Sequence, residues 1–306
     1  MMHGGSPNVV VTEEVLVHER HRTYRIVRPE AVRAGAPLII VLHGLRDTYE
    51  SMRRYTGGSF DVFAARDGAV VAYPDGVDRE WNSARKAVML SRRVKDVDDV
   101  GFLRALSEHL STTWTLDPQP FVVGFSLGGQ MAIRLLCDAP ELLAGAALIS
   151  STLPAPDNRT CADLAARPLP VVALHGTADT LAPWGGGAVG LRRTPRQRRP
   201  LFGKGAHESF PDTLAWFAAR NGIDRAPSTR WIDTGTGWVA RTDYAQPGRP
   251  PVTGYTVLGG GHEIPGPRRR RLRRDDAVGG GLVAAEVISE FFGLTRAWGR
   301  SSPSAQ

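Results

Sequence analysis

Short unbroken apolar runs punctuate the chain, at Pro37 to Gly44, Ala69 to Tyr73, Pro120 to Gly124, Gly145 to Ser150 and Leu169 to His175. Each is too short for a globular helix, and a continuous rather than alternating run describes a strand covered on both faces. Between these runs the apolar positions shift to helical spacing. Phe60 to Arg66 reads as a short helix. Asp99 to Trp114 sets Val100, Leu103, Leu106 and Leu110 on one stripe, with Asp98 or Asp99 suited to cap its start. Gln130 to Leu136 is a further helical stretch. Strand and helix alternate in this way from about residue 37 to residue 175, the pattern of a mostly parallel central sheet with helices on both faces.

The flanks differ from this middle. Val9 to Val17 and Thr23 to Val27 are rich in β-branched residues and lie either side of a polar stretch, which predicts an N-terminal antiparallel hairpin at the sheet edge. From about residue 181 to residue 206 the periodicity disappears among glycines, prolines and arginines, so a loop or lid-like insertion is expected there. A helix resumes at Pro211 to Asn221, where Pro211 suits the first turn and Gly222 the stop. Strand candidates follow at Ser228 to Thr234, Trp238 to Tyr244 and Val252 to Leu258. A last helix, Leu282 to Phe292, carries Val283, Val287 and Phe291 at helical spacing. One α/β domain over residues 1–300 with a disordered tail at 301–306 is the expected organisation.

Composition agrees with one large core: 306 residues, 42% of them hydrophobic. No run approaches the ~20 apolar residues of a membrane span, and the start shows no export signal, so a cytoplasmic location without membrane contact is expected. Two cysteines, Cys137 and Cys161, suit a reduced compartment better than a disulfide scaffold, leave a single disulfide open without needing it, and lack zinc-site or redox neighbours. The net charge of +7 resembles a nucleic-acid signal until its arginines are located. Arg192, Arg193, Arg196, Arg198 and Arg199 form one run, and Arg268, Arg269, Arg270, Arg271, Arg273 and Arg274 another. Without those eleven, 27 basic residues face 31 acidic ones, which argues against a nucleic-acid partner.

The chemistry gathers at the end of the third apolar run. Gly124-Phe-Ser126-Leu-Gly128 stands between a strand and a helix, the context of a nucleophile elbow, in which glycines admit a sharp turn and the helix start faces the reacting centre. A serine hydroxyl needs a base and an orienting acid to act as a nucleophile. In the order Ser, acid, His, the candidates are Ser126, Asp179 in His175-Gly-Thr-Ala-Asp179, and His262 in a glycine-rich loop after the last strand candidate. His43-Gly44-Leu45 closes the first buried run, so the backbone N–H groups of Leu45 and Leu127 are the candidate oxyanion donors. His43 and His175 read as structural, since one base suffices. Trp81 and Asn82, in a loop after a strand end, are candidate substrate contacts as well as packing residues. Asp96, Asp98 and Asp99 read as helix-start partners rather than as a metal site, and neither metal nor cofactor is expected.

These motifs resemble the polyhydroxybutyrate depolymerase-like and feruloyl-esterase-like (carbohydrate esterase family 1-like) branch of the α/β-hydrolases. The resemblance rests on Leu42-His-Gly44, Tyr73-Pro-Asp-Gly76 with Trp81-Asn82, Asp96 to Leu103, Gly124 to Gly129, His175 to Asp179, Pro211 to Gly222 and Gly260 to Gly266. It implies an α/β-hydrolase fold and metal-free hydrolysis of carboxylic esters, of hydroxyalkanoate, short-acyl or aromatic-acyl type, by a Ser-His-Asp triad. Members usually carry tryptophan where this chain has Ile264, a candidate pocket-wall residue beside His262, and a cysteine where it has Ile223.

The leading expectation is therefore a serine hydrolase acting on a small-molecule or polymeric acyl ester. Two alternatives stay open. An acyltransferase, cyclase or thioesterase would take an acyl chain tethered to an acidic carrier protein or to CoA, met by the arginine runs. A non-catalytic binding protein would have kept only the fold.

Overall fold

The computed structural model describes residues 8–17, 19–86, 96–160, 167–188, 205–266 and 281–295. Both arginine runs, Cys161, most of the expected lid and the C-terminal tail lie outside the described residues.

The five apolar runs form strands: β3 (Leu38–Leu42), β4 (Val70–Pro74), β5 (Phe121–Phe125), β6 (Gly145–Ile149) and β7 (Val171–Gly176). The N-terminal hairpin is β1 (Val9–Val17) and β2 (Arg20–Arg28). Three later strands are β10 (Ser228–Asp233), β11 (Trp238–Tyr244) and β12 (Val252–Val257). Ten strands join in one sheet of order β1-β2-β4-β3-β5-β6-β7-β12-β11-β10. The six in its middle run parallel, and an antiparallel pair closes each end. This is the mixed α/β sheet expected from the sequence.

Two cores form because strand side chains alternate faces. On β3, Leu38, Ile40 and Leu42 join one cluster with residues of α3 (Asp99–Trp114), α4 (Leu127–Asp138) and α5 (Phe210–Arg220). Ile39 and Val41 join the other, with α2 (Val62–Ala65) and α6 (Ala284–Phe292). Between α4 and α5 in the chain lies a two-residue strand pair, β8 (Gly187–Ala188) with β9 (Ala206–His207).

Three details go beyond expectation. α1 (Tyr49–Tyr55) is absent from the periodicity, being seven residues long with only Ser51 and Met52 buried; a Thr48–Ser51 capping box defines its start. Phe102, outside the predicted stripe, joins the inward face of α3, while Val100 packs partly buried at its margin. Asp99 is also turned inward to meet Arg22 at 2.8 Å, while Asp98 caps the helix through the Gly101 N–H at 2.8 Å. Arg22 also lies over the Phe102 ring, 3.8 Å from its centroid. Finally, Cys137, in the last turn of α4, is disulfide-bonded, where the sequence leaves a single disulfide open without requiring one. Among the described residues no helix is long and apolar enough to cross a membrane.

Candidate active site

β5 ends on Phe125, and the next residue starts the turn into α4. Ser126 sits there at φ 53° and ψ −114°, a region that non-glycine residues rarely occupy, and its N–H donates to Ile149 O at 2.9 Å. Such a conformation costs on the order of 1–3 kcal/mol and persists only where surrounding packing imposes it. The glycines explain how it is imposed. A Cβ on Gly128 would lie 2.2 Å from Leu42 O, and one on Gly124 would lie 2.3 Å from Gly128 O. The first turn of α4 thus rests directly on the end of β3, with no side chain between.

The structure brings Ser126, His262 and Asp179 into one hydrogen-bonded line. His262 Nδ1 is 2.8 Å from Asp179 Oδ2, and its Nε2 is 2.9 Å from Ser126 Oγ. An ionised carboxylate only accepts, so Nδ1 carries the ring proton and Nε2 accepts from the serine hydroxyl. Each residue follows the C-terminal end of a parallel strand: Ser126 after β5, Asp179 after β7, His262 after β12. Gly176 lets two of these loops touch, since a Cβ there would meet Gly260 O at 2.2 Å. The His262 ring also leans on Phe125, with centroids 5.3 Å apart.

Asp179 is buried and held from several sides. Its Oδ1 accepts the N–H groups of Leu181 at 2.9 Å and Ala182 at 2.8 Å. Burial pushes its carboxyl upward, but hydrogen bonds from His175, His262 and the Ala182 N–H outweigh it, so the group stays ionised well below the usual carboxylate range. His175, read from sequence as structural, lies against this acid: its Nε2 donates to Ala182 O at 2.7 Å and sits 3.4 Å from Asp179 Oδ2.

The loop after β3 is fixed by His43. Its Nδ1 donates to Gly44 O at 2.7 Å, its Nε2 accepts from the Gly76 N–H at 2.9 Å, and Trp81 Nε1 donates to His43 O at 3.0 Å. Trp81 is wholly buried with its ring 4.9 Å from that of His43. It thereby supports the His43–Leu45 loop. Asn82 is likewise occupied: its N–H donates to Asp99 Oδ2, its side-chain amide to Val97 O, and its carbonyl accepts from Arg134. Ile264, two residues beyond His262, is half-buried against the second core cluster. Among the described residues no backbone acceptor takes the N–H of Leu45 or of Leu127.

Two buried histidines make the fold acid-sensitive. Burial lowers His43 to about 4, and burial with the charge of Arg85 lowers His207 to about 3. The unfolded chain takes up these protons near pH 6.5 and the native chain does not, so stability falls as pH drops from about 6.5 towards 4. Asp75, which burial pushes up to about 6, acts in the opposite sense across part of that window and offsets some of the loss. Urea unfolding at pH 5 is expected to show a stability about 2 kcal/mol below that at pH 7; equal midpoints would mean that these rings are hydrated.

Sequence reasoning passed over Gln130, Ser151, Thr152 and His207, which form a buried polar group beside the elbow. Gln130 Nε2 donates to Ser151 Oγ and to Thr152 O, both at 2.7 Å, and His207 Nδ1 donates to Thr152 O at 3.1 Å. Only Gln130 had a usable signal, a polar residue one helical turn after Ser126.

The Phospholipase/Carboxylesterase family profile matches residues 108–190, from α3 through the elbow to the region after Asp179. A curated protein of Nocardia uniformis subsp. tsuyamanensis, "Putative esterase NocK", is 33% identical over 264 residues, which cover 83% of this chain and 73% of that protein. Feruloyl esterase B of Piromyces equi is 29% identical over 63% of this chain, although the match spans only 34% of its own length. Among solved structures, acetyl xylan esterase from Aspergillus awamori superposes with a TM-score of 0.61 at 15% identity, covering 93% of this chain and 99% of that one, a likeness of fold.

Proposed function

Since the chain belongs to the esterase branch of the α/β-hydrolase family, we propose that it cleaves carboxylic esters through an acyl-enzyme on Ser126. The observation that carries this reading is the line Ser126–His262–Asp179 ending on a serine held at φ 53°. In the resting state His262 Nε2 accepts the serine proton while Asp179 accepts from Nδ1. As Oγ attacks the ester carbonyl, that proton passes to Nε2 and the imidazolium is stabilised by the buried carboxylate. The oxygen that becomes negative is met by the N–H groups of Leu45 and Leu127, each such donor being worth about 10²-fold or more in rate. His43, pinned on both ring nitrogens, holds the first of these N–H groups in place.

Collapse of the tetrahedral species breaks the bond to the alkoxide, which takes the proton from Nε2 and leaves as the alcohol. Water then enters, gives its proton to Nε2 and attacks the acyl carbonyl; a second collapse returns the proton to Ser126 Oγ and releases the acid. Water is the acyl acceptor in this reading, and the substrate is a carboxylic ester, free or displayed on a polymer.

The test pairs turnover with covalent labelling. Folded protein is expected to hydrolyse p-nitrophenyl acyl esters and to gain one phosphonyl adduct from a fluorophosphonate probe, with peptide mass spectrometry assigning it to Ser126. Ester turnover accompanied by a label elsewhere, or by none, would overturn the assignment of the nucleophile.

A further inference from the structure

Beside the catalytic line lies a second polar group that the mechanism above does not use. The segment 151–160 follows the C-terminal end of β6, the strand beside β5 and its Ser126, and runs between two neighbours. On one side Ala84 O accepts from Thr160 N–H, Asn158 O accepts from Lys86 N–H, and Arg85 pairs antiparallel with Arg159. On the other, Pro154 pairs antiparallel with His207, and Asn158 Nδ2 donates to Ala206 O at 3.1 Å. Ala84 N–H also donates to Gln130 O at 3.2 Å, and Gln130 N–H to Ser126 O at 3.1 Å. The backbone beside the arginine pair is thereby tied to Gln130, which itself lies one helical turn, about 5 Å along the axis, from the nucleophile.

Directly opposed residues of an antiparallel pair place their side chains on one face, where like charges repel. Arg85 and Arg159 are such a pair, and among the described residues neither meets an acid. Arg159 lies over the Trp216 ring, 5.3 Å from its centroid. Arg85 has its Nε buried with no acceptor, and burial alone draws its guanidinium down to about 10. Gln130 Oε1 and His207 Nε2, on side chains more than nine-tenths buried, are bare acceptors in the same group. Arg85 is half-buried, and a covered Nε donor without an acceptor is costly to keep unless an anion completes it. The guanidinium fork matches a carboxylate, and the bare acceptors suit an N–H or O–H carried by the same molecule.

We propose that Arg85, with Arg159 beside it, binds a free carboxylate on the substrate, so that the natural ester carries a negative charge apart from the bond that is cut. This rests on the esterase reading above and narrows its substrate class. It also gives the pair a use that structure alone does not require, since two facing arginines weaken the local pairing.

The test compares matched esters. One series consists of p-nitrophenyl hemiesters of succinate, glutarate and adipate, with the charge on the acyl side. The other consists of acetyl esters of hydroxybenzoates, with the charge on the alcohol side. Each is set against its own methyl-capped neutral form, and the readout is the ratio of kcat/KM, charged over neutral. The wild type is expected to favour the charged form of at least one series by about tenfold to a hundredfold. Arg85→Gln is expected to bring that ratio near one, and Arg85→Lys, which keeps the charge but not the fork, to hold an intermediate value. Should Arg85→Gln not fold by circular dichroism, Arg85→Lys and Arg159→Gln decide by the same ratio. No preference in the wild type, or a preference that survives these substitutions, would overturn the proposal and leave the arginines as merely hydrated. Failure on every ester, neutral ones included, would instead strike the esterase reading itself.

Discussion

Ser126→Ala is expected to lower kcat for ester hydrolysis by roughly 10⁴- to 10⁶-fold, the range found when a nucleophile is removed from a triad. Only Oγ is lost. The Cβ remains, so the left-handed backbone at φ 53° is as strained in the variant as in the wild type. The glycine contacts that impose it are untouched. Thermal unfolding should therefore stay within a few degrees of wild type while turnover disappears and no acyl-enzyme can be trapped. A variant that retained more than a hundredth of the activity would show that another group attacks the ester.

Asp179→Asn should cost about 10⁴-fold in kcat, for a reason of proton placement. The amide oxygen can still accept the N–H groups of Leu181 and Ala182, so the turn after β7 survives. The amide nitrogen is then the atom left facing His262, and it presents a donor where the imidazole needs an acceptor. The ring is driven to the tautomer with its proton on Nε2, which cannot receive one from Ser126. Stopped-flow measurement of the acylation burst separates this from a binding defect: the burst rate should collapse with little change in KM. If the burst were normal, Asp179 would be a turn residue alone.

The parts of this architecture that could be read in advance are those that leave a local trace. Strands covered on both faces need unbroken apolar runs, and β3 to β7 had them. An elbow needs glycine where backbones nearly touch, and Gly124 and Gly128 stand in the sequence for that reason. The partnership of Asp179 and His262 could be argued only from chain order, because no spacing encodes a contact across 83 residues. Other features leave no trace at all. Trp81 reads as a loop tryptophan until the His43 carbonyl is placed above its indole N–H. α1 lacks an apolar stripe, and its capping box closes through Ser51 rather than the expected acid or amide. The buried group around Gln130 and His207 is joined by hydrogen bonds between residues 21 to 55 positions apart along the chain.

The same separations set the order in which the molecule can become active. Ser126 and His262 are 136 residues apart, and Asp179 and His262 are 83 apart. Contacts of such long range close late, because the entropy of joining distant segments is lost before any packing is gained. β12, which carries the histidine loop, pairs with β7, and β7 pairs in turn with β6. A chain with its central strands assembled but β12 still undocked would display most of its helical signal and no hydrolysis. Recovered turnover during refolding is therefore expected to trail the far-UV circular dichroism signal, as a clock for the docking of β12.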